Sequence, residues 1–138
     1  KMEVEDVKEY YLQYLELSEK EKSDRENELK RRIIRSKKDG FYEWILAIKS
    51  KEGKVIGKIE VLEMGANKAF LTINLPNKNW KRRYGVEAVK QFIKICKENK
   101  YFSEIELDNK NSIIQRYVKA YKTKDYLDKY LVNVEKVA

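Results

Sequence analysis

The stretch from Tyr42 to Cys96 constrains the fold of this chain more than any other part of it. Three β-branched and aromatic runs, "YEWILAIKS", "KVIGKIEVLEM" and "KAFLTINL", are separated only by "KEGK" and "GAN", both good turn sequences. That spacing predicts three consecutive antiparallel strands. Pro76 closes the third, because proline has no N–H to give a ladder and cannot continue a central strand. From there the period changes. Val86, Val89, Phe92, Ile93 and Cys96 recur at three and four, which predicts a helix from Val86 with an apolar face wide enough to lie on a sheet.

The flanks complete the order. In "DVKEYYLQYLEL", Val7, Tyr11, Tyr14 and Leu15 fall at helical spacing and Asp6 is placed to cap the N-terminus. "SEKEKSDRENELKRRIIRSKKDG" is polar apart from Leu29, Ile33 and Ile34, which predicts a second helix on the surface, stopped by Gly40. "FSEIELDN" reads as a strand through Ile105 and Leu107, and "NSIIQRYVKAY" as a helix capped near Asn111 or Ser112. "YLVNVEKV" reads as a final strand, short and free to pair with a second copy in a homodimer. With no repeat, low-complexity tract or linker, the expectation is one α+β (mixed α/β) domain over residues 1–138, a mostly antiparallel central sheet flanked by helices.

Composition narrows the chemistry. The 138 residues are 42% hydrophobic and 39% charged, suited to one soluble domain with a real core. A formal net charge of +8 favours an anionic partner. The absence of histidine and the single cysteine exclude a Ser-His-Asp triad, a Cys-His pair and an ordinary zinc site, so no metal is expected. Cys96 sits among the apolar residues of its helix and reads as packing. One cysteine allows no disulfide within the chain. With no signal peptide and no apolar run near the ~20 residues that span a bilayer, a cytoplasmic location without a membrane partner is expected.

The excess charge is concentrated at one junction. In "NLPNKNWKRRYGVEAVKQFIKIC", Lys81, Arg82, Arg83 and Gly85 stand between the third strand and the amphipathic helix. A helix N-terminus offers unpaired N–H groups and a partial positive charge, so the junction suits an anion, above all a phosphate. The competing reading is a solvated, basic helix start.

Order and junction together resemble the GCN5-related N-acetyltransferase (GNAT) family, in particular its ribosomal-protein N-acetyltransferase branch. "WILAIKSKEGKVIGKIEV" is similar to the family's second and third strands, "INLPNKNWKRRYGVEAVKQF" to its fourth strand and acetyl-CoA-binding helix, and "IELDNKNSIIQRYVKAY" to its fifth strand and the helix after it. The family loop runs Gln/Arg-x-x-Gly-x-Gly/Ala. In this branch Trp often opens it, as Trp80 does here, and Tyr84, Gly85, Glu87 and Ala88 match its ending, whereas Arg83 replaces its first glycine.

The resemblance implies acetyl-CoA as cosubstrate and direct transfer of the acetyl group to a primary amine, of a protein N-terminus or a small molecule. Lys81, Arg82, Arg83, Tyr84, Gly85 and Val86 would receive the pyrophosphate, and backbone groups of Ile73 and Leu75 would stabilise the oxyanion. Asn109 would hold cofactor or water. The family's acid is a tyrosine in the last helix. Counting from Asn109 reaches Arg116, with Tyr117 one residue later and Tyr121 the next candidate; Tyr117 is taken as the acid. Without histidine the base must be a carboxylate, and Glu60 and Glu63 are the candidates. Two rival readings stand beside this one: a binding module that keeps the scaffold without catalysis, and, behind it, a nucleic-acid binder, for which the charge and ten tyrosines speak but no nucleic-acid motif does.

Overall fold

The computed structural model describes residues 1–14, 17–38 and 40–138. Two helices open the chain, α1 (Asp6–Tyr11) and α2 (Glu19–Ser36). Three strands follow, β1 (Glu43–Lys49), β2 (Val55–Gly65) and β3 (Lys68–Asn74), each antiparallel to the one before. The long helix α3 (Lys78–Asn99) then crosses to β4 (Glu104–Leu107), which lies parallel to β3. After α4 (Ser112–Tyr121) the chain ends in a small hairpin of β5 (Leu127–Asp128) and β6 (Leu131–Asn133) and a 3-10 turn at Val134–Lys136. The six strands form one sheet in the order β1-β2-β3-β4-β6-β5, so the expected mixed, mostly antiparallel architecture holds.

Each sheet face carries its own core, as strand alternation requires. Ile59, Val61, Leu71 and Ile73 point to the side covered by α3 and α4, where they meet Val89, Phe92, Ile93, Cys96, Ile113 and Ile114. Tyr10, Tyr11, Leu29 and Ile33 of α1 and α2 pack with Ile45 and Val55 on the other. Between these layers β3 is central, and its C-terminal end reaches one of the clefts described below.

Several boundaries differ from the sequence reading for identifiable reasons. Asp6 is inside the first turn of α1, where its carboxylate accepts the Glu3 N–H at 2.8 Å; Glu5 occupies the cap position without a side-chain bond. Leu15 lies outside the described residues. The second helix does more than ride on the surface: Leu29 and Ile33 are wholly buried, and only Ile34 faces water. It starts with a capping box in which Ser18 and Glu21 bond each other's backbone, and it ends at Ser36, before Gly40.

α3 begins at Lys78 instead of Val86, because the Asn77 side chain caps it by accepting the Asn79 N–H at 2.9 Å. The final strand is only three residues long and is flanked by β4 and β5, so it offers no open edge to a second copy.

Candidate functional site

β3 and β4 pair only from Lys68 to Leu71, because β4 is four residues long and the chain turns away at Asp108. The Asp108 N–H donates to the Leu71 carbonyl (3.0 Å), and its carboxylate accepts the Thr72 hydroxyl (2.8 Å). One step further the strands have parted, and Asn111 spans the gap. Its amide nitrogen donates to the Ile73 carbonyl at 2.6 Å, while its oxygen caps α4 by accepting the N–H groups of Ile113 and Ile114 at 2.9 and 3.2 Å. Since a strand residue turns its N–H and C=O to the same side, the Ile73 N–H also faces this opening.

Leu75, one residue past β3, folds its side chain over Gly57. A Cβ at Gly57 would stand 2.7 Å from both the Leu75 side chain and the Asn74 carbonyl, so only glycine fits.

Two clefts flank the first turns of α3. One, of about 510 Å³, runs between α3 and α4 and is lined by Lys78, Lys81, Arg82, Ser112, Gln115, Arg116 and Lys119. It holds five cations, and the helix N-termini at Lys78 and Ser112, both of which favour anions, open onto it. The Arg116 guanidinium reaches across to the Lys81 carbonyl at 3.4 Å. The other cleft, also about 510 Å³, lies toward α1 and is lined by Gln13, Tyr14, Asn74, Leu75, Pro76, Asn77, Lys78, Asn79 and Lys81.

The wall of this second cleft carries a hydroxyl network. Asn74 donates both its amide protons, one to Tyr10 Oη and one to Tyr14 Oη, at 2.6 Å each, and the two hydroxyls are 3.2 Å apart. Tyr10 is fully buried and Tyr14 only partly so. Tyr10 therefore gives its proton to Tyr14, which leaves the Tyr14 proton to point into the cleft; the reverse order would strand a buried hydroxyl proton. Burial pushes the Tyr10 hydroxyl well above the usual phenol range.

Behind this network runs a chain of charges. The Lys58 ammonium lies 5.8 Å over the Tyr10 ring and contacts Glu60, and Arg32 bridges Glu60 (2.7 Å) and Glu43 (2.9 Å). Burial, helped by Arg32, pushes the Lys58 ammonium down to about 8.

Several residues singled out from the sequence fall together here. Lys81 and Arg82 line the α3–α4 cleft, whereas Leu75 lines the α1-side cleft and Ile73 is buried in the sheet and lines neither. The residues from Lys81 to Val86 are helical, however, and do not form a loop before the helix. Arg83 turns away, its guanidinium 5.2 Å from the Tyr84 ring, and lines a separate cleft with Trp80 and Lys54. The Tyr84 hydroxyl is buried without a partner among the described residues. Gly85 is buried against α4: a Cβ there would stand 3.0 Å from Ile113, so this glycine lets the helices approach, and Val86 packs partly buried beside them.

Other candidates fall elsewhere. Tyr117 is fully buried, its hydroxyl bonded to Tyr126 at 2.8 Å and its ring 4.8 Å from that of Tyr121; burial raises its pKa far above the ordinary value. Asn109 is exposed in the turn, where its carbonyl accepts from Gln115, and Asn111 is the asparagine that reaches β3. Both oxygens of Glu60 are engaged. Glu63 accepts the Trp44 indole N–H at 3.2 Å and pairs in register with Ala69, five residues along β3 from Asn74, or about 17 Å at strand rise.

Sequence reasoning missed Gln13, Tyr14, Asn74 and Lys58. The only signal for them was two tyrosines four apart, which also serves packing. Among the described residues no group of three or more metal-ligating side chains gathers, and no helix is long and apolar enough to cross a membrane.

No family model matches the chain, and no curated protein matches it in sequence. Solved structures do match in shape. A chimera of the Vibrio cholerae spermidine N-acetyltransferase SpeG with hSSAT superposes with a TM-score of 0.68 at 14% identity, covering 98% of this chain and 93% of that one. A Vibrio cholerae protein proposed to be a ribosomal-protein-serine acetyltransferase gives 0.59 at 16% identity, over 86% and 74%. A GNAT-family acetyltransferase from Staphylococcus aureus Mu50 gives 0.52 at 14%, over 96% and 93%. At such identities the likeness establishes the fold, which is that of the GNAT acetyltransferases.

Proposed function

We propose that this acetyltransferase fold carries an acetyl-CoA-dependent N-acetyltransferase acting on a primary amine. The observation that supports it most is the basic cleft between α3 and α4, whose five cations gather between the helices that follow β3 and β4. Phosphates of coenzyme A would pair with Lys81, Arg82 and Arg116 at the two helix starts, and the thioester end would lie along the free edge of β3.

In this reading the acceptor amine comes from the α1 side and attacks the thioester carbonyl. The Ile73 N–H, with that of Leu75, faces the oxygen on which charge develops. Tyr14 gives its proton to the departing sulfur, and the proton lost by the attacking amine to water in the open cleft restores it. Tyr117, assigned this role on the family pattern, is buried on Tyr126 and serves here as its competitor in the test.

A catalytically silent coenzyme A-binding module is the second reading, favoured by the helical start of α3, which commits backbone groups that a phosphate loop would leave free. Calorimetric titration with acetyl-CoA at low and moderate salt tests the common premise. Binding weakened by salt is expected, with Arg116→Ala costing about tenfold in affinity, as for one charge-assisted bond. No binding at millimolar ligand would refute both readings, and binding without turnover on any amine would leave the second.

A further inference from the structure

The residue that caps α4 does more than a cap requires. Asn111 accepts the N–H groups of Ile113 and Ile114 with its oxygen alone, and serine, threonine or aspartate could do the same. Its amide nitrogen is spent across the gap between the strands: it donates to the Ile73 carbonyl at 2.6 Å, with the Thr72 hydroxyl oxygen 3.4 Å away. The ladder of β3 and β4 has ended at Leu71, so at Ile73 a side-chain amide stands where the backbone amide of a neighbouring strand would. Ile73 is accordingly only 2% exposed, and neither flanking cleft reaches it, although Ser112, next to Asn111, lines the basic one.

The arm of coenzyme A between its phosphates and its sulfur contains secondary amides, which can pair with a strand edge as a peptide does. Resting on the acetyltransferase reading, we infer that Asn111 is a plug that acetyl-CoA displaces: an amide N–H of the cofactor arm takes its place on the Ile73 carbonyl, which brings the arm out of the basic cleft and onto the edge of β3. The exchange is one amide donor for another, so it leaves no buried carbonyl unmet. It weakens binding all the same, because the gap must first open, and the apparent affinity falls in proportion to the fraction of molecules that are open. Asn111 thus sets cofactor affinity by competing with the cofactor.

Asn111→Ser and Asn111→Thr test this, since both keep an oxygen for the α4 N-terminus and neither carries an amide donor. Calorimetry on each variant and the wild type compares acetyl-CoA with adenosine 3′,5′-bisphosphate, which lacks the arm. Acetyl-CoA should bind the variants about fivefold more tightly than the wild type, the worth of one neutral hydrogen bond. The bisphosphate, whose charge-assisted contacts lie outside the gap, should bind all three proteins within about twofold. A melting temperature close to that of the wild type verifies that each variant keeps its α4 cap. In isotopically labelled wild type, the NMR signal of the Asn111 side-chain amide should move when acetyl-CoA is added and stay in place with the bisphosphate, a readout that needs no variant.

Absence of acetyl-CoA binding to the wild type and to both variants would remove the acetyltransferase reading and this inference with it. Bound acetyl-CoA whose affinity is unchanged or lower in the folded variants, or a bisphosphate that gains as much as acetyl-CoA, overturns the inference alone. So does an Asn111 amide signal that acetyl-CoA leaves unmoved.

Discussion

Replacing Glu60 by glutamine separates a structural counter-ion from a catalytic base. Glu60 receives Arg32 on one oxygen and Lys58 on the other, in a row that Glu43 completes to two cations and two carboxylates. The side chains of Arg32, Glu60 and Lys58 are 26%, 18% and 13% exposed. Glu60→Gln keeps the shape but leaves a net positive charge and an ammonium with little access to water. Breaking a wholly buried pair costs about 3–5 kcal/mol, and the solvent that reaches Arg32 trims this to about 2 kcal/mol near neutral pH.

The pH dependence has a definite sign. Folding holds the Lys58 ammonium down to about 8, below its ordinary 10.5, and removing the Glu60 carboxylate that touches it should lower it further. Wherever the folded chain has lost this proton and the unfolded chain has kept it, stability rises with pH. In the variant that rise begins at lower pH than in the wild type. The stability difference should therefore narrow as pH climbs toward about 8, by no more than about 1.4 kcal/mol per pH unit, and level off above it.

Urea denaturation of both proteins at about pH 6, 7.5 and 9 reads this directly. A deficit that is absent, or constant across the range, would refute the argument. A fall in turnover of about 10²-fold with stability intact would make Glu60 the base after all.

Tyr14→Phe is expected to lower acetyl transfer by about 10²-fold with acetyl-CoA affinity nearly unchanged, whereas Tyr117→Phe should cost about 1 kcal/mol of stability by stranding the Tyr126 hydroxyl, seen as a melting point lower by a few degrees with turnover kept; the opposite pattern would restore Tyr117 as the acid. Gly85→Val should lower thermal stability by about 1–3 kcal/mol, because its side chain must push Ile113 and α4 away, and an unchanged melting point would contradict the close approach of the helices. The Cys96 thiol, buried and pushed up to about 12, should resist a thiol reagent in the native protein and react on unfolding; ready labelling of native protein would refute its burial.

What was legible in the sequence follows from the kind of signal each element carries. Alternation and turn residues fix β1 to β3, and the spacing from Val86 to Cys96 fixes the buried face of α3. The first two turns of α3 were hidden because Lys78 to Arg83 bear no apolar periodicity, and the glycine that suggested a loop is buried against Ile113 instead. The Ser18 and Glu21 pair was readable as a capping box. The α1-side cleft was not, since Gln13, Tyr14, Lys58 and Asn74 come from a turn and two strands, and only tertiary contact shows that Asn74 binds both tyrosines. Tyr117 shows the limit of counting along a helix: the count from Asn109 reaches Arg116, Tyr117 one residue later is taken as the acid, and the caps and core of α4 face it inward.

The sheet separates two cores of unequal size, and this gives the protein two levels of breathing. The core under α1 and α2 is the smaller, and those helices are joined to the rest mainly through β1 and β2. Sub-global opening of that layer needs less free energy than global unfolding, so native-state amide exchange should be faster at Leu29 and Ile33 than at Ile93 and Ile105. Gln13 and Tyr14, just beyond α1, would move with it. One wall of the α1-side cleft therefore belongs to the part of the protein that opens most readily, while the basic cleft stays on the part that opens last.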